Sequence, residues 1–242
     1  MSTTIGIILA AGVGSRLRPM TNQVPKCLIP VAGIPILERQ IEAMLACGIR
    51  KIVVVAGYKC DLVVSFCRRY TETVRVVIKE EYANTNNMYS FYTAAQNIGE
   101  APVLLCNGDV VFDYEIMSSL LKSDWVNLIA VQPNQYIEEA MKVSVDSQGR
   151  VLELSKAVPA SSAFGVSIDV YKFCPIAFKE IVKIATRIIV GEGKRNLWTE
   201  VAINEALQRI AFRPFDIGVH RWVEIDNFAD LKGANESFPP TG

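Results

Sequence analysis

The chain has 242 residues, enough for one large α/β domain and short for two full ones. Half of its residues are hydrophobic and its 25 basic side chains equal its 25 acidic ones, so no global basic field favours nucleic acid and no acidic tail suggests disorder. Six scattered cysteines lack both the spacing of a zinc site and the density of a disulfide scaffold, as expected of reduced thiols. The apolar run near the N-terminus is too short to span a bilayer and has no basic leader, so no membrane insertion and a cytoplasmic location are expected.

That first run, residues 4–9, is a predicted strand that breaks into Ala10-Ala11-Gly12-Val13-Gly14-Ser15-Arg16-Leu17-Arg18-Pro19, followed by Pro25-Lys26. With no side chain at Gly12 and Gly14, backbone N–H groups can approach an anionic oxygen, and Arg16 and Lys26 can supply the countercharge. A tight turn is the alternative reading of such a loop. It lacks the Walker Gly-Lys-Ser/Thr ending and the third glycine of the dinucleotide fingerprint, which disfavours an ATPase and a dehydrogenase.

Further strands at 51–56, 74–79, 103–106 and 128–131 alternate with helical patterns near 36–47, 61–70, 88–97 and 114–122. This alternation predicts βαβ units, with ligands bound beyond the carboxyl ends of the strands. Asn107-Gly108-Asp109 follows the strand 103–106, and a carboxylate there suits a hard cation such as Mg²⁺. A helix-capping turn is the alternative, for which Asp113 is the better candidate.

The rhythm then changes. Strands at 142–146, 151–155 and 164–173 suggest an antiparallel extension able to form a substrate lid, followed by helices at about 175–190 and 199–207, strands at 212–216 and 222–225, and a closing helix from Asn227. The tail 239–242 is expected to fray. Period-two alternation puts Glu224 and Asp226 on one face of the last strand, with Asp226 or Asn227 as the alternative helix N-cap. The expected fold is a single α/β domain over 1–242: a Rossmann-like, mixed, mostly parallel sheet flanked by helices, with a small antiparallel substrate-binding extension. Its two halves would run to about 131 and over 132–242.

The segments L-A-A-G-V-G-S-R-L-R-P and P-K-C-L-I-P-V resemble the signature of the nucleotidyltransferases that join a nucleoside triphosphate to a phosphorylated small molecule. The resemblance covers nearly the whole chain, is densest from 7 to 37, and recurs at 84–92, 107–109, 151–156 and 222–226. It implies that Leu9, Ala10, Ala11, Gly12, Gly14 and Ser15 wrap the triphosphate, that Arg16 and Lys26 are catalytic charge-neutralisers, and that Asp109 and Asp226 share Mg²⁺. Gly57-Tyr58 matches a base-side turn of the family, with Tyr58 either beside the base or packing a loop.

Sugar-1-phosphate members commonly carry a glycine-threonine turn where this chain has Thr85-Asn86-Asn87-Met88-Tyr89-Ser90. Asn-Asn followed by Tyr-Ser resembles the cytidylyltransferases that activate phosphocholine and phosphonates, which implies CTP as partner and Asn86, Asn87 and Ser90 at its base. An Asn N-cap of the next helix is compatible with that role.

On the acceptor side the resemblance implies Lys156 for the phosphate, with Trp198, Glu200 and Glu224 nearby. Where phosphocholine enzymes tend to supply an aromatic ring, this chain reads Glu138-Glu139-Ala140-Met141; Trp198 and Trp222 offer a partial cage, and the two glutamates read as facing an acceptor with an amine or as a solvated turn. The implied reaction transfers CMP to a small phosphorylated or phosphonate acceptor and releases pyrophosphate, in a monomer or homodimer. A role in surface-polysaccharide or envelope decoration follows from resemblance alone. A sugar-1-phosphate nucleotidyltransferase and a non-catalytic nucleotide sensor are the alternatives.

Overall fold

The computed structural model describes residues 3–238, so the expected fraying of 239–242 lies outside the described residues. In chain order the elements are β1 (Ile5–Ala10), β2 (Pro30–Val31), β3 (Ile34–Pro35), α1 (Ile36–Ala46), β4 (Lys51–Ala56), α2 (Cys60–Cys67), β5 (Val74–Ile78), α3 (Asn87–Ala95), β6 (Val103–Asn107), β7 (Val110–Phe112) and α4 (Tyr114–Lys122). They continue with β8 (Leu128–Pro133), β9 (Lys142–Val145), β10 (Val151–Ser155), β11 (Gly165–Phe173), α5 (Pro175–Thr186), α6 (Thr199–Leu207), β12 (Arg213–Asp216), β13 (Trp222–Glu224) and α7 (Phe228–Ser237). No helix among the described residues is long and apolar enough to cross a membrane.

Nine strands form one mixed sheet in the order β10-β9-β11-β6-β1-β4-β5, with β8 paired to β11 and β12 to β8. The strands β6, β1, β4 and β5 are parallel to one another. They read as nearly continuous apolar runs because helices cover both faces. Successive residues of β1 point to opposite layers: Ile7 and Leu9 pack with Phe91, Phe178 and Ile203 of α3, α5 and α6, while Ile8 and Ala10 pack with Leu37, Met44 and Ile116 of α1 and α4.

The antiparallel part begins at β11, which pairs with β9 through Gly165 and Val166 and with β6 through Val170–Phe173. Its register against β8 shifts between Ser167 and Tyr171, and there Asp169 adopts a left-handed φ of 59°. That conformation costs a non-glycine residue about 1–2 kcal/mol.

A third, smaller core lies off the sheet. Leu17, Ile29, Val31 and Ile36 from the first loop and its surroundings meet Val111, Ile225, Leu231, Ala234 and Phe238. The strand expected at 222–225 therefore belongs not to the main sheet but to a two-stranded ribbon with β7, in register Glu224↔Val110. Ribbons of two or three residues, here β2–β3 and β7–β13, are too short to declare an alternation in sequence.

Candidate active site

A cleft of about 820 Å³ opens beyond the carboxyl ends of the parallel strands, bordered by Leu9 near the end of β1, Ala11 after it, Lys79 after β5 and Asp109 after β6. Three charged segments, remote in sequence, converge at its mouth. Lys26 Nζ donates to Asp109 Oδ2 at 2.8 Å and to Asp226 Oδ1 at 2.7 Å, and Arg16 Nη2 lies 2.6 Å from Asp226 Oδ2. Burial by itself would depress the Lys26 pKa, but the two carboxylates outweigh it and hold the ammonium above its ordinary range. Burial likewise works against ionisation of Asp226, and Lys26 and Arg16 reverse it, so its carboxyl titrates below the usual value.

Backbone geometry fixes these groups. Gly108 N donates to Leu9 O at 2.9 Å, and a Cβ on Gly108 would stand 2.7 Å from that oxygen, so the turn that presents Asp109 requires glycine. From α1, the buried Gln40 donates through Nε2 to Asn107 O at 2.7 Å and Val110 O at 2.8 Å, clamping the same turn. Ile225 N donates to Asp109 O at 2.9 Å, which aligns the β13 end beside it. Asn227, not Asp226, caps α7: its side chain accepts from Ala229 N and Asp230 N, and Asp230 completes a capping box. Asp226 is thereby free to face Lys26.

Asp109, Glu224 and Asp226 each offer an oxygen within 4.8 Å of the others. Asp109 Oδ1 is buried and without a hydrogen-bond partner. Burial, and then the charges of Asp109 and Asp226, push Glu224 up to about 7. Three hard oxygen donors, one of them orphaned, fit a Mg²⁺ site. Glu224, expected on the acceptor side, is thus grouped with the two aspartates; its two-residue spacing from Asp226 was the available signal.

The glycine loop divides its labour. Leu9, Ala11 and Gly12 border the cleft, and nothing lies within 4 Å of where a Gly12 Cβ would sit. Ala10 faces the core instead, because alternation along β1 turns it to the opposite layer. Gly14 has φ +64°, and a Cβ there would press on Lys26 Cβ at 3.0 Å and Thr21 Cγ2 at 3.1 Å. Its place is the turn that seats Lys26. Ser15 starts an exposed turn anchored by the buried Leu17, and neither Gly14 nor Ser15 lines the cleft.

Gly57 and Tyr58 stand behind this loop. Tyr58 N donates to Ala11 O at 3.2 Å and its hydroxyl to Thr21 O at 2.9 Å, so the ring braces the loop and does not border the cleft. Asp113 also departs from expectation: it precedes α4, but its carboxylate forks with Arg221 at 2.7 Å and makes no side-chain cap.

Asn86 caps α3 through a 2.8 Å bond from Asn87 N, and Asn87 Oδ1 accepts from Thr199 N at 2.8 Å. Beneath them lies Lys79, unmarked by the sequence because a lysine at a strand end ordinarily reaches solvent. Its Nζ donates to Asn86 O at 2.9 Å and Ser90 Oγ at 3.0 Å, and burial drives its pKa down to about 8.

Across the cleft Lys156 Nζ lies 5.2 Å from the centre of the Trp198 ring. Behind Trp198 the buried Glu200 accepts from the Tyr171 hydroxyl at 2.8 Å, and that hydroxyl also lies 3.0 Å from Asp169 Oδ1. Asn107 Nδ2 donates to Asp169 Oδ2 at 2.8 Å. The alternating polar positions 167, 169 and 171 in an otherwise apolar strand were the missed signal for Asp169 and Tyr171.

A family model described as the MobA-like NTP transferase domain matches residues 6–158. The chain is 25% identical to a 2-aminoethylphosphonate cytidylyltransferase of Lancefieldella rimae, over 97% of this chain and 93% of the relative. It is 24% identical to a CTP:phosphoglutamine cytidylyltransferase of Campylobacter jejuni, over 93% of this chain and 97% of the relative. The solved CTP:phosphocholine cytidylyltransferase of Streptococcus pneumoniae superposes with a TM-score of 0.76 at 21% identity, covering 98% of this chain and 99% of that one, a likeness of fold.

Proposed function

Because the chain belongs to the family of MobA-like NTP transferase domains and is a nucleotidyltransferase, we propose that it transfers CMP from CTP to a small phosphorylated or phosphonate acceptor, with Mg²⁺ and release of pyrophosphate. The observation that carries this reading is Lys26 held between Asp109 and Asp226 at the mouth of the Gly12 loop, with Glu224 alongside. The cytidylyltransferases among the relatives support CTP as the donor, as does the Asn86–Asn87 pair at the base end.

An oxygen of the acceptor's phosphate or phosphonate attacks the α-phosphorus, and the bond to the bridging oxygen of the leaving pyrophosphate breaks. The nucleophile is already an anion near neutral pH, so no general base is needed. Asp109, Asp226 and Glu224 would hold Mg²⁺, which when bound neutralises phosphate charge.

The remaining work is alignment and charge dispersal. Lys26 has three N–H donors and spends two on the aspartates, keeping one for the triphosphate, while the exposed Arg16 retains most of its fork. Gly12 leaves the loop backbone open to phosphate oxygens, and Lys156 receives the acceptor's anion.

The test is pyrophosphate release with Mg²⁺ across CTP, UTP, ATP, GTP and dTTP, each against phosphocholine, phosphoethanolamine, 2-aminoethylphosphonate and hexose 1-phosphates. Turnover confined to CTP with non-sugar acceptors is expected. Turnover with a hexose 1-phosphate and UTP, GTP or dTTP would overturn the base and acceptor assignments.

A further inference from the structure

Glu200 borders the cleft yet is only 3% exposed, and its second oxygen, Oε2, is buried with no hydrogen-bond partner. A carboxylate oxygen left so costs more than a neutral orphan does. Beside it Asp169, 8% exposed, is turned by a left-handed backbone that a non-glycine residue adopts only under strain. Among the described residues no basic side chain forms an ion pair with either carboxyl.

Between the two stands Tyr171, whose hydroxyl contacts both but owns a single proton. At most one contact is a donation from Tyr171, so the other needs a proton on a carboxyl. Burial, together with the neighbouring acids, pushes Asp169 well above its ordinary range, consistent with that shared proton. The free protein therefore holds a carboxyl pair short of donors, on the floor of a cleft whose mouth carries the cations Lys156, Arg16 and Lys26.

We propose that the acceptor is a zwitterion carrying a primary ammonium, and that Glu200 Oε2, with Asp169, receives its N–H groups while Lys156 receives its anionic end. This rests on the cytidylyl-transfer reading above. A quaternary ammonium has no N–H to give Oε2 and calls instead for several aromatic faces. Of the rings that line the cleft, Tyr82, Trp198 and Trp222, only Trp198 belongs to the segment that carries Glu200, and the bordering Glu139-Ala140-Met141 adds none.

The experiment measures kcat/KM with CTP for phosphoethanolamine, its N-methyl, N,N-dimethyl and trimethyl derivatives, and 2-hydroxyethyl phosphate, in which an uncharged hydroxyl replaces the ammonium. Wild type is expected to prefer the primary amine over the trimethyl and hydroxyl compounds by roughly 10–100-fold, the worth of one or two charge-assisted hydrogen bonds. In Glu200→Gln that preference falls to within about fivefold, a collapse of that same increment, through a raised acceptor KM with the CTP KM unchanged. A merely structural role would lower turnover for all acceptors alike.

Should that variant not fold, the wild-type series and Glu200→Asp carry the test. Equal use of the trimethyl or hydroxyl compound, with CTP turnover intact, overturns the ammonium assignment and leaves cytidylyl transfer standing. Turnover solely with another nucleotide and a hexose 1-phosphate overturns both. If no acceptor turns over, calorimetric titration of 2-aminoethylphosphonate and its hydroxyl analogue, with Mg²⁺ and a non-hydrolysable CTP analogue, reads the same preference. Equal affinities there overturn the proposal.

Discussion

Lys26 joins two aspartates that would otherwise repel and has a third N–H beyond those two bonds, the donor that the proposed function gives to the nucleotide. Lys26→Ala is expected to lower kcat by roughly two to three decades, the usual cost of one preorganised donor. A kcat within threefold of wild type would remove Lys26 from the mechanism. Lys79 makes a different prediction. Its folded pKa of about 8 lies below the ordinary 10.5, so between those values the unfolded chain binds more protons and stability rises with pH. Urea melts should show wild type gaining on Lys79→Met from about pH 8 to pH 10, with the full penalty present below 8; a pH-independent difference would contradict the burial argument. Lys26, Arg16 and Asp109 could be singled out in the sequence because a charged residue beside a glycine turn after an apolar strand has few structural uses, and the structure brings all three to one cluster. Lys79 was not singled out, since what marks it is desolvation by neighbours that no local pattern names.

Elements were legible in proportion to their length. The residues of β4, β10, α4 and α6 coincide with the expected spans, because five or more residues of alternation or helical spacing state their own periodicity. The helix expected over 175–190 keeps α geometry to Thr186 and then passes into a π-turn at Arg187–Gly191, a change that composition does not encode. Caps were half legible: Asn86 and Asn227 do cap, whereas Asp113 is claimed by Arg221 from more than a hundred residues away. Asn227→Ala removes the acceptor for Ala229 N and Asp230 N and should cost about 1 kcal/mol of stability. Because the same cap keeps Asp226 out of the helix, the variant should also need more Mg²⁺ for half-maximal activity. An unchanged Mg²⁺ requirement would mean that Lys26 and Arg16 position Asp226 without help.

The whole molecule is assembled so that segments remote in sequence complete one another. Lys26 meets Asp109 across 83 positions and Asp226 across 200, and the small core around Leu17, Ile225 and Leu231 fastens α7 over the first loop. Leu231→Ala, at a position 7% exposed, should cost about 2–4 kcal/mol. Since this core is off the main sheet, activity should disappear at lower urea than the far-ultraviolet dichroism; coincident midpoints would make the molecule one cooperative unit. That meeting of remote segments was the least legible feature, because sequence names the charges but not which of them share a lattice of strands. It also bears on how the chain is made. Ribosomes add about 5–20 residues per second, so roughly 10–40 s separate the emergence of Lys26 from that of Asp226. Throughout that interval the nascent chain carries Lys26 without the second aspartate that it joins to Asp109, so the charged cluster can close only once Asp226 has emerged.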